Sequence, residues 1–217
     1  IVSDNINQLN LKDLDFVRFD DNQQLMHNKF CIFNSNKDKI VMTGSLNPTS
    51  GLNKDNLAVI KSNFLAENYQ SEFDELWSNN FGKGDKVKYP KIKINDFLIE
   101  NYFCPEDNCE EQLLNLIENA NKRIYFMTFS FTSNIVGDKI IEKSKNVEVK
   151  GLFEKFQSSE FNQYNKMKEA NLNVKFDNDS SLLHHKVFIV DDSVLFGSYN
   201  PTKAGNERND ENIIINL

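Results

Sequence analysis

The pattern of apolar and polar residues predicts alternating helices and strands in the second half of the chain. Residues 111–120 carry apolar side chains at helical spacing, whereas residues 124–132 (IYFMTFSFT) have the apolar character of a buried strand. The same reasoning predicts four further elements: a helix at 134–144, a strand at 147–153, a helix at 161–171 and a strand at 173–176. This succession is typical of an α/β unit.

An amphipathic helix and a loop precede this unit. Residues 64–81 have apolar residues at helical spacing, and we expect their acidic residues on a solvated face. Gly82, Gly84 and Pro90 mark the next stretch as a loop, and we interpret its lysines as those of a solvated linker. We therefore divide the chain into a first unit at 1–82, a linker at 83–96 and a second unit at 97–217.

A sequence repeat relates the two units. Residues 17–49 read VRFDDNQQLMHNKFCIFNSNKDKIVMTGSLNPT, and residues 174–202 read VKFDNDSSLLHHKVFIVDDSVLFGSYNPT. Both copies contain a His-x-Lys sequence and end in Gly-Ser-x-Asn-Pro-Thr, and the first copy has four extra residues between these points. A match of this length and order indicates an internal duplication.

The two copies are preceded by very different lengths of chain. A complete α/β segment precedes the second copy, whereas only sixteen residues precede the first. Of the first unit, LKDLDFVRF at 11–19 matches just the end of such a segment. We therefore expect the first unit to be truncated at its N-terminus, and the chain to be a fragment that needs the missing segment of the same protein to complete this unit.

Composition narrows the possible partners. The chain has 217 residues, 39% of them hydrophobic, and its 18 phenylalanines suit a packed core. No stretch approaches the roughly 18 to 20 apolar residues of a membrane span. The net charge of −7 argues against a protein that coats nucleic acid or anionic lipid non-specifically, although it leaves room for a local basic cleft. Cys31, Cys104 and Cys109 form no metal-binding pattern, so we expect reduced thiols; Cys104 and Cys109 are close enough to pair in an oxidising compartment.

The repeated motif brings together the residues of a candidate active site. Side chains two residues apart on a strand share a face, so His27 projects with Lys29, and His184 projects with Lys186. An imidazole acts as nucleophile or general acid near neutral pH, and an ammonium binds phosphate oxygens. Two facing pairs would therefore suit phosphodiester hydrolysis, in which one histidine attacks phosphorus and the other protonates the leaving oxygen. This scheme needs no cofactor and no metal.

The motif His-x-Lys-x4-Asp followed by Gly-Ser-x-Asn resembles that of the phospholipase D superfamily. The second copy fits it fully, with His184, Lys186, Asp191, Gly197, Ser198 and Asn200. The first copy fits it with His27, Lys29, Gly44, Ser45 and Asn47. Residues 103–133 also resemble the opening of a nuclease-type unit of that superfamily, so the resemblance covers nearly the whole chain apart from the linker.

The resemblance implies two α/β units, each a mixed β-sheet flanked by helices, related by a pseudo-twofold axis that places both motifs in one cleft. It also implies a covalent phosphohistidine intermediate, in which His27 and His184 divide the roles of nucleophile and acid. The resemblance leaves their order open, and we favour His27 as the nucleophile because the first histidine often attacks in two-motif members. The resemblance further implies phosphate contacts, which we expect from Lys29, Lys186, Ser45, Ser198, Asn47 and Asn200. Acidic residues after the Gly-Ser-x-Asn turn, Glu211 and by alignment Asp55, are expected to orient the partner imidazole.

The first copy departs from the motif at its aspartate. Asn34 stands at the expected distance from Lys29, whereas Asp38 has the same distance from Gly44 as Asp191 has from Gly197. The aspartate lies an odd number of positions from the histidine, so we expect its role to be structural and the first site to remain active.

Other residues near the motifs receive simpler interpretations. His185 is expected to be a bystander, because the first copy has Asn28 at that position. Phe129 and Phe131 belong either to the core or to the cleft wall. The favoured substrate is nucleic acid cleaved by a nuclease-like phosphodiesterase; the alternatives are a phospholipid headgroup and a degenerate member that only binds phosphate.

Overall fold

The computed structural model describes residues 1–4, 14–20, 23–35, 38–48, 51 and 53–217. Thr49 of the repeat and the start of the 11–19 match lie outside the described residues. The strands are β1 (Val2–Ser3), β2 (Arg18–Phe19), β3 (Phe30–Asn34), β4 (Lys39–Gly44), β5 (Leu57–Lys61), β6 (Lys91–Ile94), β7 (Phe97–Cys104), β8 (Arg123–Thr128), β9 (Glu148–Phe153), β10 (Asn173–Phe176), β11 (Lys186–Val190), β12 (Ser193–Gly197) and β13 (Glu211–Asn216). The helices are α1 (Asn63–Trp77), α2 (Cys109–Glu118), α3 (Asn134–Lys143), α4 (Gln163–Glu169) and α5 (Lys203–Glu207), with a 3-10 turn at Lys155–Gln157.

The second unit is built on an eight-stranded mixed sheet. Its strand order is β10-β9-β8-β11-β12-β13-β7-β6, with β8, β9 and β10 parallel and the other pairs antiparallel. The side chains of Asn108 and Ser133 cap the first turns of α2 and α3. Leu113 of α2 and Ile140 of α3 are fully buried in one core with Phe188 of the sheet. The helices and strands predicted between residues 111 and 176 are all present, with bounds that differ by a few residues.

The first unit contains the antiparallel sheet β3-β4-β5 and the helix α1. The Ser62 hydroxyl accepts a hydrogen bond from the Leu65 backbone N–H and so caps α1, the helix predicted at 64–81. Tyr69 of α1 is fully buried, and its core cluster includes Val41 from the first sheet and Phe103 from the second. The helix α1 therefore joins the two sheets. No helix in the described part of the chain combines the length and apolar character needed to cross a membrane.

The predicted linker at 83–96 is partly a strand. Residues 91–94 form β6, which pairs antiparallel with β7 at the edge of the second sheet. Ile92 is buried in the same core cluster as Tyr69, because alternation along β6 turns it towards α1. The irregular stretch is therefore shorter than the sequence indicated.

Two reciprocal backbone contacts relate the units by a pseudo-twofold axis. Met26 forms a parallel bridge with Asp210, and Leu183 forms a parallel bridge with Lys54. The backbone N–H of His27 donates to the Asp210 carbonyl oxygen at 3.0 Å, and that of His184 donates to the Lys54 carbonyl oxygen at 3.0 Å. Each histidine is therefore held next to the residue that precedes the acidic position of the other unit.

Cys104 and Cys109 are joined by a disulfide, with their Cα atoms 5.8 Å apart. The expectation of reduced thiols at these two positions is therefore wrong for this structure. The bond links the end of β7 to the start of α2. Cys31 is a free, exposed thiol on β3.

Candidate active site

Both His-x-Lys motifs lie at the start of a strand of their sheet. Lys186 is the first residue of β11, and Lys29 directly precedes β3. The Lys29 ammonium donates to the carbonyl oxygen of His27 at 2.7 Å, and the Lys186 ammonium donates to that of His184 at 2.8 Å. The two copies thus share one geometry, in which each lysine is anchored to the backbone of its own histidine.

The two imidazoles are oriented by carboxylates of the opposite unit. His27 Nδ1 donates to Glu211 Oε2 at 2.7 Å, and His184 Nδ1 donates to Asp55 Oδ1 at 2.8 Å. Because a carboxylate accepts the Nδ1 proton, each neutral ring keeps its lone pair on Nε2. Each unit therefore supplies the carboxylate that fixes the tautomer of the other unit's histidine.

The Gly-Ser turns hold these carboxylates in place. A Cβ atom at Gly44 would lie 2.2 Å from the Asn56 carbonyl oxygen, and one at Gly197 would lie 2.1 Å from that of Asn212, so only glycine allows this approach. Ser45 Oγ donates to Asp55 Oδ1 at 2.8 Å.

Both turn serines are fully buried, and their hydroxyls accept backbone N–H groups. Asn56 N–H donates to Ser45 Oγ at 3.0 Å, and Asn212 N–H donates to Ser198 Oγ at 2.9 Å. The serines therefore stabilise the segments that carry Asp55 and Glu211, and their expected phosphate contacts stay a prediction.

The two turn asparagines differ in their environment. Asn200 is 9% exposed, and its Oδ1 accepts the Ser130 backbone N–H at 3.3 Å. This contact leaves the Asn200 amide nitrogen as a donor. Asn47 follows β4 in the corresponding turn and is half-buried.

Burial places the two lysines in an unusual ionisation range. It lowers the pKa of Lys29 to about 8, with Glu211 and Asp55 opposing the shift. Burial and then the charge of Lys29 lower the pKa of Lys186 to about 7. Because the charge of Lys29 in the first motif acts on Lys186 in the second, the two motifs form one electrostatic site, to which an anion would add counter-charge.

Both imidazoles favour the neutral form before an anion arrives. Burial, followed by the charge of Lys186, lowers the pKa of His184 to about 4. Burial also lowers the pKa of His27, although the neighbouring Glu211 opposes this. Neutral Nε2 atoms are suited to attack on phosphorus.

Phe129 forms one wall of the site, whereas Phe131 belongs to the core. The Phe129 ring lies 4.8 Å from the His184 ring, and the Lys186 ammonium lies 4.9 Å from the Phe129 ring centre. Phe131 is fully buried against Phe126 and Phe153. The sequence left these two positions open, and the structure separates them.

A family model described as "Cardiolipin synthase, PLD-like domain" matches residues 2–77 and 113–216. The chain belongs to the phospholipase D superfamily. It is 29% identical over 135 residues to a phospholipase D from Rickettsia felis, a match that covers 58% of this chain and 68% of that protein. Superfamily members named phospholipase D are phosphodiester-cleaving hydrolases.

Two solved structures share the fold of this chain. Nuc from Salmonella typhimurium is 26% identical with a TM-score of 0.52, over 55% of this chain and 82% of that chain. Phosphatidylserine synthase from Haemophilus influenzae has a TM-score of 0.65 over 89% of this chain and 58% of that chain. At 13% identity this second likeness shows the fold alone.

The motif aspartates of this phospholipase D-like chain lie away from the histidines. Asp191, at the far end of β11, accepts the backbone N–H groups of residues 121–123 at 2.7 to 2.9 Å. Asp38 forms an ion pair with Lys61 at 2.6 Å, and Asn34 ends β3 on the surface. Asp38 is thus an acidic residue at the corresponding turn, but it binds a side chain where Asp191 binds backbone.

A buried asparagine network behind the motifs was missed from the sequence. Asn212 Nδ2 donates to Asn28 Oδ1 at 2.8 Å, and Asn28 Nδ2 donates to Glu72 Oε1 at 2.7 Å. Asn212 Oδ1 also accepts the Thr43 hydroxyl at 2.9 Å. The matching pairs Asp55-Asn56 and Glu211-Asn212 carried the signal, since both copies follow the acidic residue with asparagine.

His185 and a carboxylate group complete the surroundings. His185 Nδ1 lies 3.3 Å from Asn56 Oδ1, outside the paired imidazoles. Within the described part of the chain, Glu72, Glu75 and Glu106 bring carboxylate oxygens within 4.8 Å of one another, a spacing that would suit a metal ion. These residues lie on α1 and beside the disulfide segment rather than at the histidines.

Proposed function

We propose that the protein hydrolyses phosphodiesters in two steps through a covalent phosphohistidine. The reciprocal pairing of His27 with Glu211 and of His184 with Asp55 carries this proposal. It supplies two imidazoles with the same tautomer, one from each unit, beside two lysines that share one electrostatic site.

In the first step His27 Nε2 forms a bond to phosphorus while the bond from phosphorus to the leaving oxygen breaks. His184 Nε2 donates a proton to that oxygen. The anionic substrate raises the pKa of His184 by its charge and so allows it to carry this proton. Asp55 and Glu211 stabilise the imidazolium forms that arise during the reaction.

In the second step water attacks phosphorus and the nitrogen–phosphorus bond breaks. His184 takes the proton of the water, and His27 returns to its neutral form. Lys29, Lys186 and the amide nitrogens of Asn47 and Asn200 stabilise the charge on the phosphoryl oxygens. Ser45 and Ser198 act through the acidic residues that they position. This scheme requires no metal.

Trapping of the intermediate tests the scheme. A rapid quench in alkaline denaturant, in which the nitrogen–phosphorus bond survives, should reveal a phosphorylated His27 in protein turning over a chromogenic diester. His27→Ala should abolish this adduct. His184→Ala should lower turnover by roughly 10²–10⁴-fold, the contribution of a general acid. His185→Ala is the matched control and should retain turnover. Adduct formation by both His27→Ala and His184→Ala would contradict the histidine assignment, and loss of turnover in excess chelator would contradict the metal-free scheme.

The substrate arms of this experiment separate three possibilities. Single- and double-stranded nucleic acid represent the substrate that the sequence favoured, and phospholipid vesicles represent the alternative. Turnover of neither, together with no turnover of a small diester, would indicate a degenerate member that only binds phosphate.

We further infer that the first sheet needs an additional α/β segment. Phe33, Leu57 and Val59 are 52%, 44% and 63% exposed, and the strand register places them on one face. Their counterparts by the repeat are Val190, Ile213 and Ile215, which are at most 3% exposed in the core under α2 and α3. A segment with the chemistry of residues 109–153 would cover this face.

A further inference from the structure

Three exposed apolar side chains lie at one edge of the second unit. Phe156 and Phe161 are 72% and 70% exposed, the highest values of any phenylalanine in the described ranges. Ile135, in the first turn of α3, is 61% exposed. We call these three side chains the apolar rim. Single exposed apolar residues are ordinary, but a group of them at one edge of a molecule indicates an interaction surface.

Hydrogen bonds hold the rim residues on one ordered edge. Asn162 Nδ2 donates to the Gln157 carbonyl oxygen, and the Asn162 backbone N–H donates to that of Ser159, both at 3.1 Å, which closes the loop that carries Phe156 and Phe161. Gln163 Nε2 donates to Asn134 Oδ1 at 3.0 Å and so ties this loop to the start of α3 and to Ile135.

The rim is joined to the candidate active site through one buried carboxylate. Glu154 is 2% exposed, and it accepts the backbone N–H of Phe156 at 2.7 Å and that of Leu183 at 2.5 Å. Leu183 directly precedes His184. The loops after the parallel strands β8 and β9 therefore meet the start of β11 at the same edge of the sheet.

The charges around the rim favour a lipid surface over nucleic acid. On the loop itself, exposed Lys155 is offset by exposed Glu160. Lys54, at the neighbouring unit contact, is held by Asp177 at 2.6 Å and Asp179 at 3.0 Å. Single-strand binding combines aromatic stacking with a positively charged groove, and these ion pairs leave no such groove here among the described residues. Phenylalanine and isoleucine carry no polar atom and are stabilised by insertion among acyl chains.

We propose that the apolar rim inserts into a lipid surface and so brings phosphodiester headgroups to the two histidines. The inference rests on the proposed function for its catalytic half, because a phospholipid joins a phosphodiester to the acyl chains that the rim would contact. Since the loop charges offset each other, the binding should depend on apolar insertion and change little with salt.

Vesicle co-sedimentation tests the rim separately from catalysis. The complete chain should bind phosphatidylcholine vesicles, and the double variant Phe156→Ser with Phe161→Ser should bind them roughly tenfold or more weakly, since two exposed phenylalanines lose their insertion. Phe97→Ser is the matched control, because Phe97 is 58% exposed on β7 and lies outside the rim. Turnover of a small soluble diester should be the same in all three proteins.

Each result has one meaning for the rim. Equal vesicle binding by the complete chain and the double variant would overturn the inference. So would salt-sensitive binding of a single-stranded oligonucleotide that the double variant loses, with no binding to vesicles. Vesicle binding that depends on the rim without turnover of the soluble diester would support the inference and contradict the proposed function instead.

Discussion

At the scale of single residues, the exchange of carboxylates makes each histidine dependent on the other unit. Glu211 is fully buried. Its Oε2 accepts a hydrogen bond from His27 Nδ1, and its Oε1 has no hydrogen-bond partner among the described residues. Asp55 receives additional support from Ser45. The His27–Glu211 and His184–Asp55 pairs therefore share one arrangement but differ in their surroundings. This difference allows different roles for the two imidazoles.

Glu211→Gln should lower kcat while leaving the fold intact. The glutamine oxygen can still accept from His27 Nδ1, but the neutral amide no longer stabilises the imidazolium that forms in the reaction. We expect a loss of roughly 10²–10⁴-fold in kcat, measured with a soluble diester. Glu207→Gln, an exposed change of the same kind on α5, should retain full activity. Full kcat in Glu211→Gln would show that the carboxylate does not support catalysis.

Phe129→Leu should move the basic limb of the pH profile of kcat/KM to higher pH. Burial lowers the pKa of His184 to about 4. A smaller side chain admits water beside the ring, so this pKa should rise towards its ordinary value. Because His184 must carry the proton that it donates to the leaving oxygen, activity would then persist to a higher pH. An unchanged profile with a lower kcat would assign Phe129 a packing role alone.

At the scale of elements, regular periodicity was predictable and buried polar contacts were not. The strand at 173–176 and the helices around 111–120 and 134–144 follow from apolar spacing. The strand β6 was read as linker although its sequence KIKI alternates strictly between lysine and isoleucine, the pattern of a half-buried strand. The glycines and the proline before it favoured a loop, and its pairing with β7 and the burial of Ile92 against α1 are contacts that the sequence does not show.

For the motif, the sequence predicted which residues belong to the site better than it predicted which groups their side chains contact. The repeat identified His27 and His184 because duplication preserves chemistry at matched positions. It did not show that the Ser45 hydroxyl is buried and accepts the Asn56 N–H, and the expected phosphate contact of Ser45 stays a prediction. The disulfide between Cys104 and Cys109 likewise depends on the approach of β7 and α2.

The carboxylates beside α1 should make the stability of the protein fall as the pH rises. Burial, together with the charge of Glu106, raises the pKa of Asp210 to about 8. The folded state therefore holds a proton that the unfolded state, with an ordinary pKa of 3.8, releases. The corresponding stability is fully present below the unfolded pKa and is lost as pH rises through the folded pKa.

Asp210→Asn should remove this dependence. The amide oxygen keeps the acceptor for the Gly82 N–H, and the group no longer ionises. We expect a higher Tm than the parent near pH 8, by ~2–4 °C for each kcal/mol recovered, and no gain near pH 4. Thermal unfolding at both pH values measures the effect. An equal gain at both would assign it to packing rather than to charge.

At the scale of the whole molecule, the duplication is complete at the site and incomplete around it. The reciprocal bridges of Met26 with Asp210 and of Lys54 with Leu183 preserve the pseudo-twofold relation where the histidines lie. The outer face of β3-β4-β5, in contrast, is exposed where the second sheet is covered by α2 and α3. In the proposed scheme catalysis depends on this pseudo-twofold relation, whereas we infer that the stability of the first unit depends on what covers the outer face of β3-β4-β5.

Cys31 provides a probe of that face without any mutation. It lies on β3, opposite Met42 in the strand register, and it is exposed while the other two cysteines are bonded. Its counterpart by the repeat, Phe188, is fully buried.

An alkylating reagent should therefore modify Cys31 rapidly in the 217-residue chain. In a protein that carries the covering α/β segment, modification should be slower by roughly tenfold or more, because the thiol would react only through local opening. Mass spectrometry of timed samples measures both rates. Equal rates would show that this face stays open, and a rate that falls with rising protein concentration in the 217-residue chain would show that a second copy covers it instead.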